Sequence, residues 1–131
     1  MTTRREPVQA NTTILVVEDD PSIRDSVAEC LEDEGYVVAR AANGAEALGL
    51  LAAGVQPQIL LLDLHMPVMD GAELVAALEA DERLRGIPRV LMTGSAPRAG
   101  APLPPADVYL EKPFEIATLL AAIERHRRAA A

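Results

Sequence analysis

Cysteine occurs once, at Cys30, tryptophan not at all, and there are only three aromatic residues, Tyr36, Tyr109 and Phe114. A single thiol excludes an internal disulfide, and the lack of a His/Cys cluster removes any zinc-ligand pattern. So few rings leave an aliphatic core rather than an aromatic binding surface. No apolar run is long enough to form a membrane-spanning helix. Arg4-Arg5 is not followed by the apolar segment and cleavage site of an export signal. Positive charge is also scarce: 12 Lys and Arg face 20 Asp and Glu, for a net charge of −8. That balance argues against direct nucleic-acid binding through phosphates. The default expectation is a cytoplasmic protein with no membrane and no direct nucleic-acid contact.

Half of the 131 residues are hydrophobic, mostly Ala, Leu and Val. This length gives one domain with a sizeable core. Residues 1–11 are polar and aperiodic and read as a flexible N-terminal tail. The domain spans 12–128, and 129–131 form a short C-terminal tail.

Four short, mainly apolar runs read as strands, the first two, unbroken in Ile, Leu and Val, as strands covered on both faces. Ile14-Leu15-Val16-Val17 ends in Glu18-Asp19-Asp20. Ile59-Leu60-Leu61-Leu62 ends in Asp63, and Arg89-Val90-Leu91-Met92 ends in Thr93-Gly94-Ser95. Val108-Tyr109-Leu110 leads to Lys112-Pro113-Phe114. Tyr36 to Ala41 supplies a further strand. Between them run helices. Asp20 caps the first, with Pro21 at its first position and Gly35 past its end. Its buried stripe is Ile23, Val27, Cys30 and Leu31, which makes Cys30 a core residue. Asn43-Gly44 opens a short helix whose Ala45, Leu48, Leu51 and Ala52 face inward. Asp70-Gly71 opens another, over about 72–81, that buries Leu74, Val75 and Leu78. The last, over about 115–128, turns Ile116, Leu119, Leu120 and Ile123 inward. Its basic end, Arg125 to Arg128, reads as a solvated terminus that complements the helix dipole.

One expected helix is missing from this rhythm. Residues 96–106 contain Pro97, Pro102, Pro104 and Pro105, with Gly100 between them. Interior proline costs a helix roughly 3 kcal/mol, so a regular fourth helix is not expected. The alternation otherwise gives an α/β fold, a doubly wound five-stranded parallel sheet with helices on both faces.

In such a sheet chemistry gathers beyond the carboxyl ends of the strands. Glu18 and Asp19, Asp63, Thr93 and Lys112 all lie there. An aspartate can also simply end a strand, and Asp63 alone would carry no more than that. Three carboxylates in one cleft repel one another and call for a cation, and all-oxygen donors favour Mg²⁺. A carboxylate beside such an ion is a competent nucleophile toward phosphorus. Lys112 and the Thr93 hydroxyl can each hold a phosphate oxygen.

The motifs ILVVEDD, LLLDLHMPVMDG, VLMTG and YLEKPF, in this order and spacing, resemble the receiver domain of bacterial two-component response regulators. The resemblance covers about 12–128. It implies a flavodoxin-like (βα)5 fold with Asp63 as phosphoacceptor. It further implies Glu18, Asp19, Asp63 and the backbone carbonyl of His65 around Mg²⁺, and Thr93 and Lys112 on the phosphoryl group. Thr93 and Tyr109 would form the coupled switch, and the Lys112-Pro113 bond would be cis. The donor would be a sensor histidine kinase or phosphotransfer protein in a phosphorelay. The chain would be a monomer or weak homodimer with an unnamed protein target and no attached output domain. The chain departs from the family at the proline-rich 96–106 segment and at Gly94, where alanine is common. His65 and Ser95 occupy positions that tune phosphoryl lifetime in the family.

Two other classes compete. One is a phosphorylation-independent adaptor of receiver fold, disfavoured because unused clustered carboxylates destabilise a fold. The other is a Mg²⁺-dependent aspartate-nucleophile phosphohydrolase, which places a second Asp where this chain has His65. A flavodoxin-like cofactor carrier lacks its Gly-rich loop here. The expected protein is therefore a switch rather than an enzyme, catalysing only its own phosphorylation and dephosphorylation.

Overall fold

Five parallel strands form one sheet in the order β2-β1-β3-β4-β5. The computed structural model describes residues 12–64, 66, 68–94 and 104–128. The elements run β1 (Thr13–Val17), α1 (Pro21–Asp33), β2 (Val37–Ala41), α2 (Gly44–Ala52), β3 (Ile59–Asp63), α3 (Gly71–Ala80), β4 (Arg89–Thr93), β5 (Val108–Glu111) and α4 (Ile116–His126). The two tails assigned from sequence lie outside the described residues. So does most of the proline-rich segment, whose described part, 104–106, is not helical.

The continuous aliphatic runs are explained by how the strands alternate. Leu15, Val17, Leu60, Leu62 and Leu91 point to one face and pack with Ala47 and Leu51 of α2 and Leu74, Val75 and Leu78 of α3. Ile14, Val16, Ile59, Leu61, Val90 and Met92 point to the other, against Val27 and Leu31 of α1 and Leu119 and Ile123 of α4. A strand with helices on both faces has no polar side to show, so alternation vanishes from its sequence. Leu60, Leu61 and Leu62 are completely buried. Truncating any of them to alanine would cost about 2–5 kcal/mol.

Local chemistry sets where the helices begin. Asp20 caps α1, its Oδ1 accepting from the Ser22 and Ile23 amides at 2.9 and 3.3 Å, with Pro21 in the first turn. Asn43 caps α2 through the Glu46 amide at 2.9 Å, and Glu46 returns a bond from the Ala42 amide. Asp70 and Glu73 form a reciprocal capping box on α3. Three of the four described helices are therefore fixed at their starts by a side-chain cap beyond a strand end; Glu115, before α4, makes no such bond.

Several inward assignments require correction. Cys30 is exposed; Ala28 is buried instead, beside Val27 and Leu31. On α2, Ala45 and Ala52 face solvent and Ala47 is buried. Ile116 is exposed at the start of α4. On α2 and α4 the reason is that alanine-rich helices are apolar around much of their circumference. On α1 it is that Ala28 and Cys30 flank the Val27–Leu31 stripe on opposite sides, and the sheet covers the Ala28 side. Which arc is buried is then decided by the neighbouring strand, not by composition.

Candidate functional site

Strand register brings the acidic groups level. Val17 pairs with Leu62, so Glu18, the next residue, stands beside Asp63. Asp63 pairs with Met92, and Thr93 follows it at the end of β4. Thr93 in turn pairs with Glu111, which places Lys112 one step past β5. The Lys112 amide donates to the Thr93 carbonyl at 2.7 Å, fixing the start of the β5–α4 connection. The Lys112-Pro113 peptide bond is cis, as expected.

Four of the five strand-end side chains named from the sequence, those of Glu18, Asp19, Asp63 and Lys112, lie together. Carboxylate oxygens of Glu18, Asp19 and Asp63 lie within 4.8 Å of one another. The Lys112 ammonium reaches over them, donating to Glu18 Oε1 at 2.9 Å and standing 3.5 Å from Asp63 Oδ1. Glu18 and Asp63 are buried and Asp19 is exposed. Thr93 is also buried. Tyr109 stands apart from this cluster. It is 44% exposed, its hydroxyl donating to the Pro104 carbonyl at 2.8 Å and accepting from the Ala106 amide at 3.1 Å. His65, assigned a backbone ligand role, lies outside the described residues.

The electrostatics follow from one ammonium, in contact with Glu18 and Asp63, set against three carboxylates. Burial pushes the Glu18 carboxyl above its ordinary value, and the nearby Asp63 charge adds to the rise. The Lys112 hydrogen bond only partly offsets them. Burial pulls Lys112 down, but the Glu18 hydrogen bond and the Asp63 charge outweigh it and raise it on balance. The cluster thus retains surplus negative charge that one lysine does not neutralise. Three converging carboxylate oxygens, one of them on an exposed residue, fit a hard divalent cation that keeps part of its water shell. Mg²⁺ fits this donor set, which contains no sulfur or imidazole among the described residues.

Two positioning residues carry no strong sequence signal. Arg24, on the first turn of α1, donates from Nη1 to the Glu18 carbonyl at 2.9 Å. Gly71, at the start of α3, packs on the end of β3: a Cβ there would stand 2.7 Å from the Asp63 carbonyl oxygen. The Asp-Gly pair announces a helix start but not that close approach.

Comparison with known proteins agrees with the geometry. A domain model described as the response regulator receiver domain matches residues 14–124. The DNA-binding dual master transcriptional regulator RpaA of Synechocystis is 36% identical over 84% of this chain and 46% of its own length. An uncharacterized 14.6 kDa protein of Leptolyngbya boryana is 36% identical over 89% of this chain and 91% of its own. The response regulator TrrA of Thermotoga maritima, solved in complex with Mg²⁺–BeF, superposes with a TM-score of 0.75. It is 31% identical, with 87% of this chain and 97% of that chain covered. The chain spans about half the length of several curated relatives that it matches, RpaA among them. No helix among the described residues is long and apolar enough to cross a membrane. The strand order, the level strand ends and the match from 14 to 124 lead to one assignment: this chain belongs to the response regulator receiver domain family.

Proposed function

We propose that the domain over residues 12–128 is a phosphorylation-controlled switch of the cytoplasm, with Asp63 as the phosphoacceptor. The donor is a phosphohistidine on a sensor kinase or phosphotransfer protein. The observation that carries this reading is Lys112, which reaches Glu18 and Asp63 together above a three-carboxylate cluster. An Asp63 carboxylate oxygen attacks phosphorus and forms the new O–P bond. The P–N bond to the donor imidazole breaks, and its electron pair stays on the ring nitrogen. Lys112 holds one phosphoryl oxygen as a point charge, and the Thr93 hydroxyl donates to another. Glu18, Asp19, Asp63 and the His65 carbonyl would hold Mg²⁺, which when bound neutralises charge on the phosphoryl oxygens. Attack by water later returns the free carboxylate and inorganic phosphate. Thr93 and Tyr109 report the phosphorylated state to a protein target. The residue two places after Asp63 is histidine, not the aspartic acid an aspartate-nucleophile phosphohydrolase would use.

Intact-mass measurement after incubation with acetyl phosphate and Mg²⁺ tests this reading. One phosphoryl group should be added to the wild type and none to Asp63→Asn. Equal labelling of both proteins would place the acceptor elsewhere.

A further inference from the structure

A second cavity lies at the opposite edge of the sheet, where the strands begin. It has a volume of about 530 Å³, with Leu51, Val55, Leu84 and Ile87 as its aliphatic part and Arg83 and Arg128 as its charges. The lining comes from the last turn of α2 and the α2–β3 connection, the segment leading to β4 and the residue two places past α4. Its size falls in the range of small-molecule sites, and an apolar wall with a few polar groups is their usual composition.

Three observations say what such a site would take. No carboxylate lines it, although the chain carries a net charge of −8. Arg128 is tethered there, its amide donating to the Gln58 carbonyl at 3.1 Å, and its guanidinium makes no ion pair among the described residues. The Arg83 amide donates to Asp81 Oδ1 at 2.8 Å, whereas its guanidinium stands 3.7 Å from Oδ2 and is largely in solvent, where a ligand carboxylate can compete for it. Near the end of α2 the Gly49, Leu50 and Leu51 carbonyls accept from Ala53, Val55 and Gly54, which weakens the negative pole of that helix toward an anion. Gln58 is fixed too, its Oε1 accepting from the Thr13 amide and its Nε2 donating to the Gln56 carbonyl. The Gln58 part of the wall is therefore already formed.

We propose that this cavity is a second binding site, for a small organic carboxylate with an apolar body. The aliphatic wall takes the body, and Arg83 and Arg128 take the carboxylate. It lies away from the strand ends that carry Asp63, so both sites can be filled together.

Amide chemical-shift titration of the whole chain with 2-naphthoate tests the proposal, with 2-naphthamide as its neutral counterpart. The expected shifts fall on residues 51–58, 83–87 and 128. The carboxylate should bind about tenfold more tightly than the amide, and Arg83→Gln with Arg128→Gln should remove that advantage. Both arginines are exposed, so the double variant should keep the wild-type spectrum elsewhere. Shifts mapping to another surface, no binding, or equal affinity for acid and amide would each overturn it.

Discussion

The first residue of α3, Gly71, sits against the carbonyl of Asp63 so closely that a methyl group there would stand 2.7 Å from the oxygen and 2.9 Å from Leu64 Cα. Both obstacles are backbone, which cannot swing aside as a side chain can. The Gly71 amide also donates to the Leu64 carbonyl at 2.9 Å, closing the β3–α3 connection. The strand end that presents Asp63 is thus held from behind by a missing side chain.

Gly71→Ala should accordingly lower stability and phosphoryl uptake together, even though alanine favours helices intrinsically. Overpacking of this kind costs about 1–3 kcal/mol. Urea denaturation and the rate of labelling by acetyl phosphate measure the two effects. A stabilised variant with wild-type labelling would show that the connection relaxes freely.

Glu18 gives a pH-dependent expectation. Burial, then the Asp63 charge, hold its carboxyl above the ordinary 4.5 despite the Lys112 bond. Such a group favours the fold most when protonated, below the unfolded value. That contribution is lost as pH rises through the raised folded value. Without divalent cations, Glu18→Gln should therefore match the wild type near about pH 4 and exceed it at neutral pH. Mg²⁺ should stabilise the wild type more than the variant at neutral pH. Urea midpoints in chelator and in Mg²⁺ at both pH values provide the check, and a variant less stable than wild type at neutral pH in chelator would refute it.

The legible features were those with a periodic or compositional signature. Ile14 to Val17 and Ile59 to Leu62 read as strands because two-sided burial writes an unbroken aliphatic run. The five strand-end residues Glu18, Asp19, Asp63, Thr93 and Lys112 followed from the parallel topology. Cys30 was misplaced because α1 offers more apolar residues than its buried arc can use. Arg89 was illegible for another reason. Its side chain is 4% exposed, yet its charge meets Glu79 at 2.9 Å and the Arg85 carbonyl at 3.0 Å. Both partners lie on the connection before it or in α3, and nothing in a strand-like run marks such a fold-back.

Val68 carries strain beside the site. It has φ 69, a left-handed conformation, and is 79% exposed, so no buried contact compensates. A β-branched residue there is a conformational outlier. Val68→Asn should raise stability by about 1 kcal/mol, because asparagine tolerates this region. Thermal denaturation reads the change; an unaltered midpoint would mean the loop holds no strain.

The last expectation concerns Tyr109, the proposed switch partner of Thr93. Its hydroxyl clasps the turn before β5, donating to Pro104 and accepting from the Ala106 amide. Residues 104–106 have no regular structure of their own, and Pro104 and Pro105 can donate no backbone bond. The ring therefore supplies much of what orders that turn. An inward rotation of Tyr109 on phosphorylation would break both bonds at once and release the Ala106 amide. Tyr109→Phe removes the same bonds without phosphorylation, and should speed exchange at Ala106 by roughly tenfold, the equivalent of one to two modest hydrogen bonds. Addition of Mg²⁺ and beryllium fluoride should carry the wild type toward the variant's rate and leave the variant unchanged. Residue-resolved hydrogen exchange measures all four states. Wild-type exchange at Ala106 that does not respond to beryllium fluoride would show that Tyr109 keeps its outward bonds in the activated protein, and that the signal leaves the site by another route.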